Sequence, residues 1–288
     1  MSTRAQAITQ ATQRLVACGL DADEAQDDTR ALLRAAGVSR LDLALSPQEQ
    51  LSDEQAQKFA HSLDRRAARE PVSRIIGARG FWSLDLVVAP HVLDPRADTE
   101  SLIETVLALL GDRRQAPLSI LDLGAGSGAI TCALLSELPA AQALAVDLSP
   151  QACAAAAENI ARCGFADRAQ VTQGRWGAAL TQRFDVIVSN PPYIRSGDIA
   201  TLDPEVRLHD PALALDGGPD GLECYREIIG DAPRLLTEGG LLAVEIGADQ
   251  AADVAALMTA NGFALERISQ DLGGRDRVVA GRLAQASS

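Results

Sequence analysis

The chain runs to 288 residues, 47% of them apolar, with 39 acidic against 26 basic side chains and a formal charge of -13. That length suits about two domains of ordinary size and a core that needs no disulfide or metal, and the modest Gly and Pro content argues against disorder. The acidic balance argues against a broad phosphate-binding surface, because free nucleic acid is held by summed Lys and Arg contacts.

The N-terminal part reads as helices. Ile8, Thr12, Leu15 and Val16 fall on one helical face, and Gly19 stops that helix. Asp21 opens a second helix, with Glu24 placed as the partner in a capping box. Leu32, Leu33 and Ala36 carry its apolar stripe to Gly37. Ser46-Pro47 supplies a cap and a first-turn proline for a further segment. Ser52 and Gln55 repeat the box ahead of a charged helix ending near Glu70. Residues 1–75 are therefore expected to form a small helical domain, with partner docking as its functional reading.

Between Gly77 and Asp94 the period changes. Trp82, Leu84, Leu86 and Val88 alternate as a half-buried strand or hairpin requires, which predicts a hairpin linker over 76–95. An apolar helix follows from Ser101 to Leu110, and capping by Asp98 or Thr99 is the simpler reading of those two residues. From Leu118 onward strands and helices alternate. Apolar runs at 118–123, 142–146, 184–188 and 241–246 are short and continuous, as strands covered on both faces should be, and Ala-rich helices fill 128–138 and 149–163. This rhythm predicts an α/β domain over 96–288, a doubly wound, mostly parallel sheet with a terminal hairpin near 264–269 and 277–283.

The strand Ile120 to Leu123 runs into Gly124-Ala125-Gly126-Ser127-Gly128, where a helix begins at once. Glycines there let the chain turn tightly and a ligand approach the backbone. The next strand ends in Asp147, whose carboxylate suits the two hydroxyls of a ribose. An adenosine-containing cofactor is implied. Gly124, Gly126 and Ala129 also satisfy the dinucleotide pattern, so a nicotinamide enzyme stays open at this point, while Gly128 and the neighbouring Asp122 favour S-adenosylmethionine. Trp176, just after an expected strand at 169–173, sits where an adenine ring would lie, although a lone Trp is more often core.

Strand 184–188 delivers Ser189-Asn190-Pro191-Pro192-Tyr193 to the same edge. A strand-ending turn explains the prolines but not an amide before them and an aromatic after them. Methylation of a planar nitrogen explains all four residues. The lone pair of such a nitrogen is delocalised, so it must be aligned and eased toward tetrahedral geometry. The Asn190 side-chain oxygen suits one N–H, the Pro191 carbonyl the other, and Tyr193 a flat face against the group. Both hydrogen bonds strengthen as positive charge develops on nitrogen.

The chain resembles the peptide chain release factor glutamine N5-methyltransferases. The resemblance rests on Asn190 to Tyr193, on 71–77, Phe81-Trp82, 92–96, 98–100, 120–130 and 184–194, and on 205–207, 214–222 and 271–276. It implies an N-terminal helical domain joined by a β-hairpin to a seven-stranded methyltransferase domain that uses S-adenosylmethionine. It further implies that Gly124, Ala125, Gly126, Ser127, Gly128, Asp147, Trp176 and Asn190 contact the cofactor. Asn190, Pro191, Pro192 and Tyr193 would hold the glutamine of a Gly-Gly-Gln loop in bacterial release factors, with Phe81 and Arg96 as pocket wall. Asn190, Pro191 and Tyr193 would then be the catalytic residues. Ala97 and His209-Asp210 depart from the family pattern, which bears on loop geometry rather than on the reaction. An adenine or guanine amino-methyltransferase is the alternative, disfavoured by the negative charge and the lack of a basic recognition domain.

The remaining expectations are negative ones. Cys18, Cys132, Cys153, Cys163 and Cys224 contain no C-x-x-C pair, and His61, His91 and His209 share no ligand spacing, so free thiols and no metal are expected. No leader or membrane span is read, so the chain is expected to be cytoplasmic and monomeric, with neither nucleic acid nor membrane as a direct partner.

Overall fold

The computed structural model describes residues 2–284. Residues 285–288, the end of the domain expected over 96–288, lie outside the described residues. The chain divides into two compact units. One comprises the residues up to Ala78 together with Pro204–His209, and the other Arg79–Asp203 with the residues from Asp210 on.

In the smaller unit, helices α1 (Arg4–Ala17), α2 (Ala22–Ala35), α3 (Arg40–Leu45), α4 (Asp53–Ala67) and α5 (Val72–Ile76) surround a core of Leu15, Leu32, Leu33, Val38, Phe59 and Leu63. Thr3, Ser39 and Ser52 open α1, α3 and α4 with reciprocal capping boxes to Gln6, Asp42 and Gln55. The box expected at Asp21 is only half formed. Asp21 accepts from the amides of Asp23 and Glu24, but the Glu24 carboxylate turns away to an ion pair with Arg66 at 2.8 Å. The buried stripe of α1 is Arg4, Ala7, Ala11 and Leu15, so Val16 is exposed rather than core-facing. Ser46 closes α3 instead of opening a helix, because its amide donates to Asp42 and the chain then turns through Pro47.

Arg66 is the unusual member of this core. Its guanidinium, 2% exposed, meets Glu24, Asp28 and Glu205, the last from α6 (Pro204–His209). Arg69 adds a second bond to Glu205 at 2.6 Å.

The larger unit begins at Arg79, within a hairpin of β1 (Ala78–Phe81) and β2 (Leu84–Val87). Seven strands follow: β3 (Ser119–Leu123), β4 (Gln142–Asp147), β5 (Ala169–Gln173), β6 (Phe184–Ser189), β7 (Leu236–Glu245), β8 (Phe263–Gln270) and β9 (Asp276–Leu283). They form one sheet in the order β5-β4-β3-β6-β7-β9-β8, parallel except at β9, which runs antiparallel to both neighbours. Ile120, Val186 and Leu241 face one side with α7 (Glu100–Leu110), α8 (Ala129–Glu137) and α9 (Pro150–Arg162). Leu121, Ile187 and Leu242 face the other with α10 (Glu223–Leu235) and α11 (Ala251–Ala260). Because alternate side chains are buried on opposite faces, the central strands read as largely apolar runs, whereas the edge strands β5 and β8 are more polar and mostly exposed. Each fully buried Leu or Ile contributes roughly 2 kcal/mol of transfer free energy. No helix among the described residues is long and apolar enough to cross a membrane.

Candidate active site

The sheet register brings the two key segments together. Leu123 on β3 pairs with Ser189 on β6, so the glycine turn and Asn190 leave adjacent strands at the same level. The Ser189 hydroxyl donates to the Leu123 carbonyl at 2.6 Å and ties the two exits. This is the carboxyl edge of the sheet, where open α/β folds bind ligands.

A cavity of about 270 Å³ opens there. Gly124, Ala125, Gly126, Ser127, Asp147, Trp176, Asn190, Pro192 and Arg96 line it. Gly128 does not. It caps α8 in a left-handed conformation, and a Cβ there would stand 3.1 Å from Ala156 on α9. Its role is close packing of two helices. Gly124 has a different reason: φ is +74°, and an added Cβ would come within 3.1 Å of the Trp176 indole, which lies over the turn. Trp176 itself adopts φ +47° in the loop after β5 and is half-buried against the core while still facing the cavity.

Asp147 accepts the Gly126 amide on one oxygen and the Ser149 amide on the other, both at 2.8 Å. Each oxygen keeps a further lone pair toward the cavity. Asp122 stays out of it. Fully buried, it accepts the amide and hydroxyl of Thr131 on Oδ2, and burial pushes its carboxyl up to about 6. It fastens the first turn of α8 to β3.

Asn190 is oriented from behind. Its amide nitrogen donates to the Thr99 hydroxyl at 3.1 Å. Thr99 therefore does not cap the helix it precedes, and no side-chain cap is made there. Asp98 is turned to Arg277 at 3.2 Å instead. The capping reading of both residues is corrected by these partners. Pro191 is buried and Tyr193 half-buried, and neither is part of the cavity wall, unlike Asn190 and Pro192. The Tyr193 carbonyl accepts from Gln250, and burial pushes its phenol up to about 12. The segment at 214–222 clamps this loop. Ile194 donates to Leu215, Gly217 donates to Ile194, and a Cβ on Gly217 would lie 2.8 Å from the Pro192 carbonyl.

Arg96 lines the cavity and is held by the buried Asp210 at 2.5 Å, which assigns a partner to one departure from the family pattern. Phe81 is a correction. It is 2% exposed within the core of Leu86, Leu102 and Ile103, because β1 ends with its side chain turned inward, and it is not pocket wall. Several residues escape sequence reasoning. Asn159 donates to the carbonyls of Val87 and Ser127 and so joins α9, the hairpin and the glycine turn. Gln250 bridges the Tyr193 and Gly221 carbonyls. Glu245 carries a legible signal, as the one charged residue in the run 241–246. Among the described residues no cluster suited to a metal ion occurs.

Comparison with known proteins fits this arrangement. Residues 6–77 match the family model described as PrmC N-terminal domain, and residues 97–205 the one described as methyltransferase small domain. The release factor glutamine methyltransferase of Caulobacter vibrioides is 47% identical over 97% of this chain and 96% of its own length. That of Agrobacterium fabrum is 45% identical over 93% of each. Among solved structures, a methyltransferase from Pyrococcus furiosus shares the fold with a TM-score of 0.52, at 17% identity over 81% of this chain and 100% of its own.

Proposed function

This chain belongs to the release factor glutamine methyltransferase family, and from that premise we propose that it methylates the side-chain amide nitrogen of the Gly-Gly-Gln glutamine in release factors, with S-adenosylmethionine as donor. The observation that carries the reading is the register that sets Asn190 beside the glycine turn on one cavity.

The residues at the cavity fit the donor. Gly124 and Gly126 leave the backbone open, Asp147 keeps acceptors for ribose hydroxyls, and the Trp176 face suits an adenine ring. Ala125 and Ser127 complete the wall, and Gly128 acts through the packing of α8. Bound S-adenosylmethionine supplies a methyl group on a positively charged sulfur. Asn190, held by Thr99 through its NH2 group, has its carbonyl oxygen free to accept one N–H of the substrate amide. The second acceptor is assigned to the Pro191 carbonyl, the main-chain oxygen next after Asn190, with its direction fixed by the prolines. Pro191 itself is buried beside the cavity wall, so the amide reaches that oxygen from the Asn190 side. Pro192 and Arg96 border the approach of the amide, and Tyr193 supports this loop from the core side. These acceptors gain strength as the nitrogen turns cationic, so they favour the transition state over the bound substrate. No strong base is required, since the alkylated nitrogen is acidic. The protein works in the cytoplasm as a monomer on a protein partner, and the helical unit offers the docking module.

Labelled S-adenosylmethionine and purified release factor test the reading. Label should enter the release factor and vanish when its Gly-Gly-Gln glutamine is replaced by Ala. Label that survives this replacement, or that enters nucleic acid instead, overturns it. Asn190→Ala should lower kcat roughly 100- to 1,000-fold, while calorimetry finds donor binding retained.

A further inference from the structure

Glu245 ends β7 at the carboxyl edge of the sheet, 1% exposed, and its Oε2 has no hydrogen-bond partner among the described residues. A carboxylate this deep costs several kcal/mol unless it is compensated. The side chain is not needed by its neighbour Tyr225, whose hydroxyl donates to the Glu245 main-chain carbonyl instead. It faces Thr99 and Asn190, the pair whose hydrogen bond fixes the carboxamide. We propose that Glu245 is a positioning residue for methyl transfer, which through the Thr99 hydroxyl fixes the Asn190 carboxamide and places a negative charge behind it. The proposal rests on the function given above.

Directionality supports the assignment. A carboxylate only accepts, so it draws the Thr99 proton toward itself and leaves the Thr99 oxygen to accept from Asn190. The Asn190 NH2 is thereby committed to the interior, and its oxygen to the cavity. Without this orientation the carboxamide can turn over and offer a donor to a substrate nitrogen that needs an acceptor. The charge behind it also makes the Asn190 oxygen a better acceptor as the substrate nitrogen turns cationic.

The surroundings leave that charge in place. Arg277 is the cation beside Glu245, but it is already bonded to Asp271 at 3.0 Å and Asp98 at 3.2 Å. Arg275 also binds Asp271, so two guanidiniums meet three carboxylates, and Glu245 is the one without an ion-pair partner among the described residues. The phenols of Tyr193 and Tyr225 complete the groups facing it, and burial raises both. Burial likewise pushes the Glu245 carboxyl up to about 7, against the pull of Thr99 and Arg277. Its ionisation therefore falls near neutrality, and the ionised form is the one that positions Asn190.

Glu245→Gln and Thr99→Val test the proposal in the full-length protein. With release factor as substrate, E245Q should lower kcat 10- to 100-fold and change either KM less than threefold. Wild-type kcat should rise with pH through a single ionisation near 7 that is absent in E245Q. Calorimetric binding of S-adenosylmethionine should be unchanged, and crystal structures of both variants should show Asn190 turned or in two orientations. A merely structural Glu245 would lower the melting temperature but leave the pH profile intact and Asn190 in place. An E245Q enzyme with wild-type kcat and pH profile, or an unmoved Asn190 in both variants, overturns the proposal. If wild type fails to methylate release factor, the proposed function falls, and the Asn190 orientation in the variants still decides the role of Glu245.

Discussion

The three glycines of the turn look equivalent in sequence, yet each answers a different demand. All three hold positive φ, which costs an L-residue about 1–2 kcal/mol. At Gly126 nothing lies near the position of an added Cβ, so Gly126→Ala should cost only that strain, about 1 kcal/mol. At Gly128 the same methyl would press on Ala156 Cα and Cβ, both at 3.1 Å and both part of a packed helix. Gly128→Ala should therefore add overpacking to strain and cost about 3 kcal/mol. Urea denaturation of the two variants measures the difference. Equal losses would show that α9 yields freely and that backbone strain alone explains the glycines. Gly126→Ala should also weaken donor binding more than Gly128→Ala, because only Gly126 faces the cavity.

At the scale of elements, the sheet is the more legible part. Runs at 118–123, 142–146 and 184–188 correspond to β3, β4 and β6 because strands covered on both faces are mostly apolar at successive positions. The helical unit is harder to read. Its packing depends on Arg4 and Arg66, and a charged core residue carries no hydrophobic signature in sequence. The same holds at the site. Asn190, Asp147 and the glycines announce themselves by residue type and spacing, whereas the burial of Phe81 and the pairing of Thr99 with Asn190 are tertiary facts. Arg66 gives a measurable case. Arg66→Met leaves Glu24, Asp28 and Glu205 grouped around an apolar side chain, with like charges facing one another. The loss should be about 3 kcal/mol, the low end for a broken buried pair because Glu24 is half exposed. Thermal denaturation of the full chain reads it, and a stabilised variant would mean that the desolvation of Arg66 outweighs its three ion pairs. Glu205 lies in α6, so the same variant also tests whether this short segment keeps its place among the helices of the smaller unit.

Over the whole molecule, the buried acids set how stability depends on pH. Asp122 rises to about 6 and Glu245 to about 7 from ordinary values of 3.8 and 4.5, in both cases chiefly because burial disfavours the charge. Glu24 and Asp28 are raised for the same first reason. Between pH 4 and pH 7 the folded protein therefore holds protons that the unfolded chain has released, and stability falls as pH rises through that window. The stabilising contribution is complete below the unfolded values and lost above the folded ones. For Asp122 and Glu245 together it is on the order of 6 kcal/mol, since each tenfold gain in proton affinity on folding is worth about 1.4 kcal/mol. Asp185, Glu205 and Asp271 are lowered instead and act only below the usual carboxylate range, so they do not cancel the effect near neutrality. Wild-type protein should resist urea better at pH 5 than at pH 8. Asp122→Asn keeps an oxygen for Thr131 but no longer titrates, and it should remove about a third of that difference by raising stability at pH 8. A variant with the wild-type slope would mean that Asp122 is ionised in the folded protein across the whole range, with hydration that its buried position does not reveal.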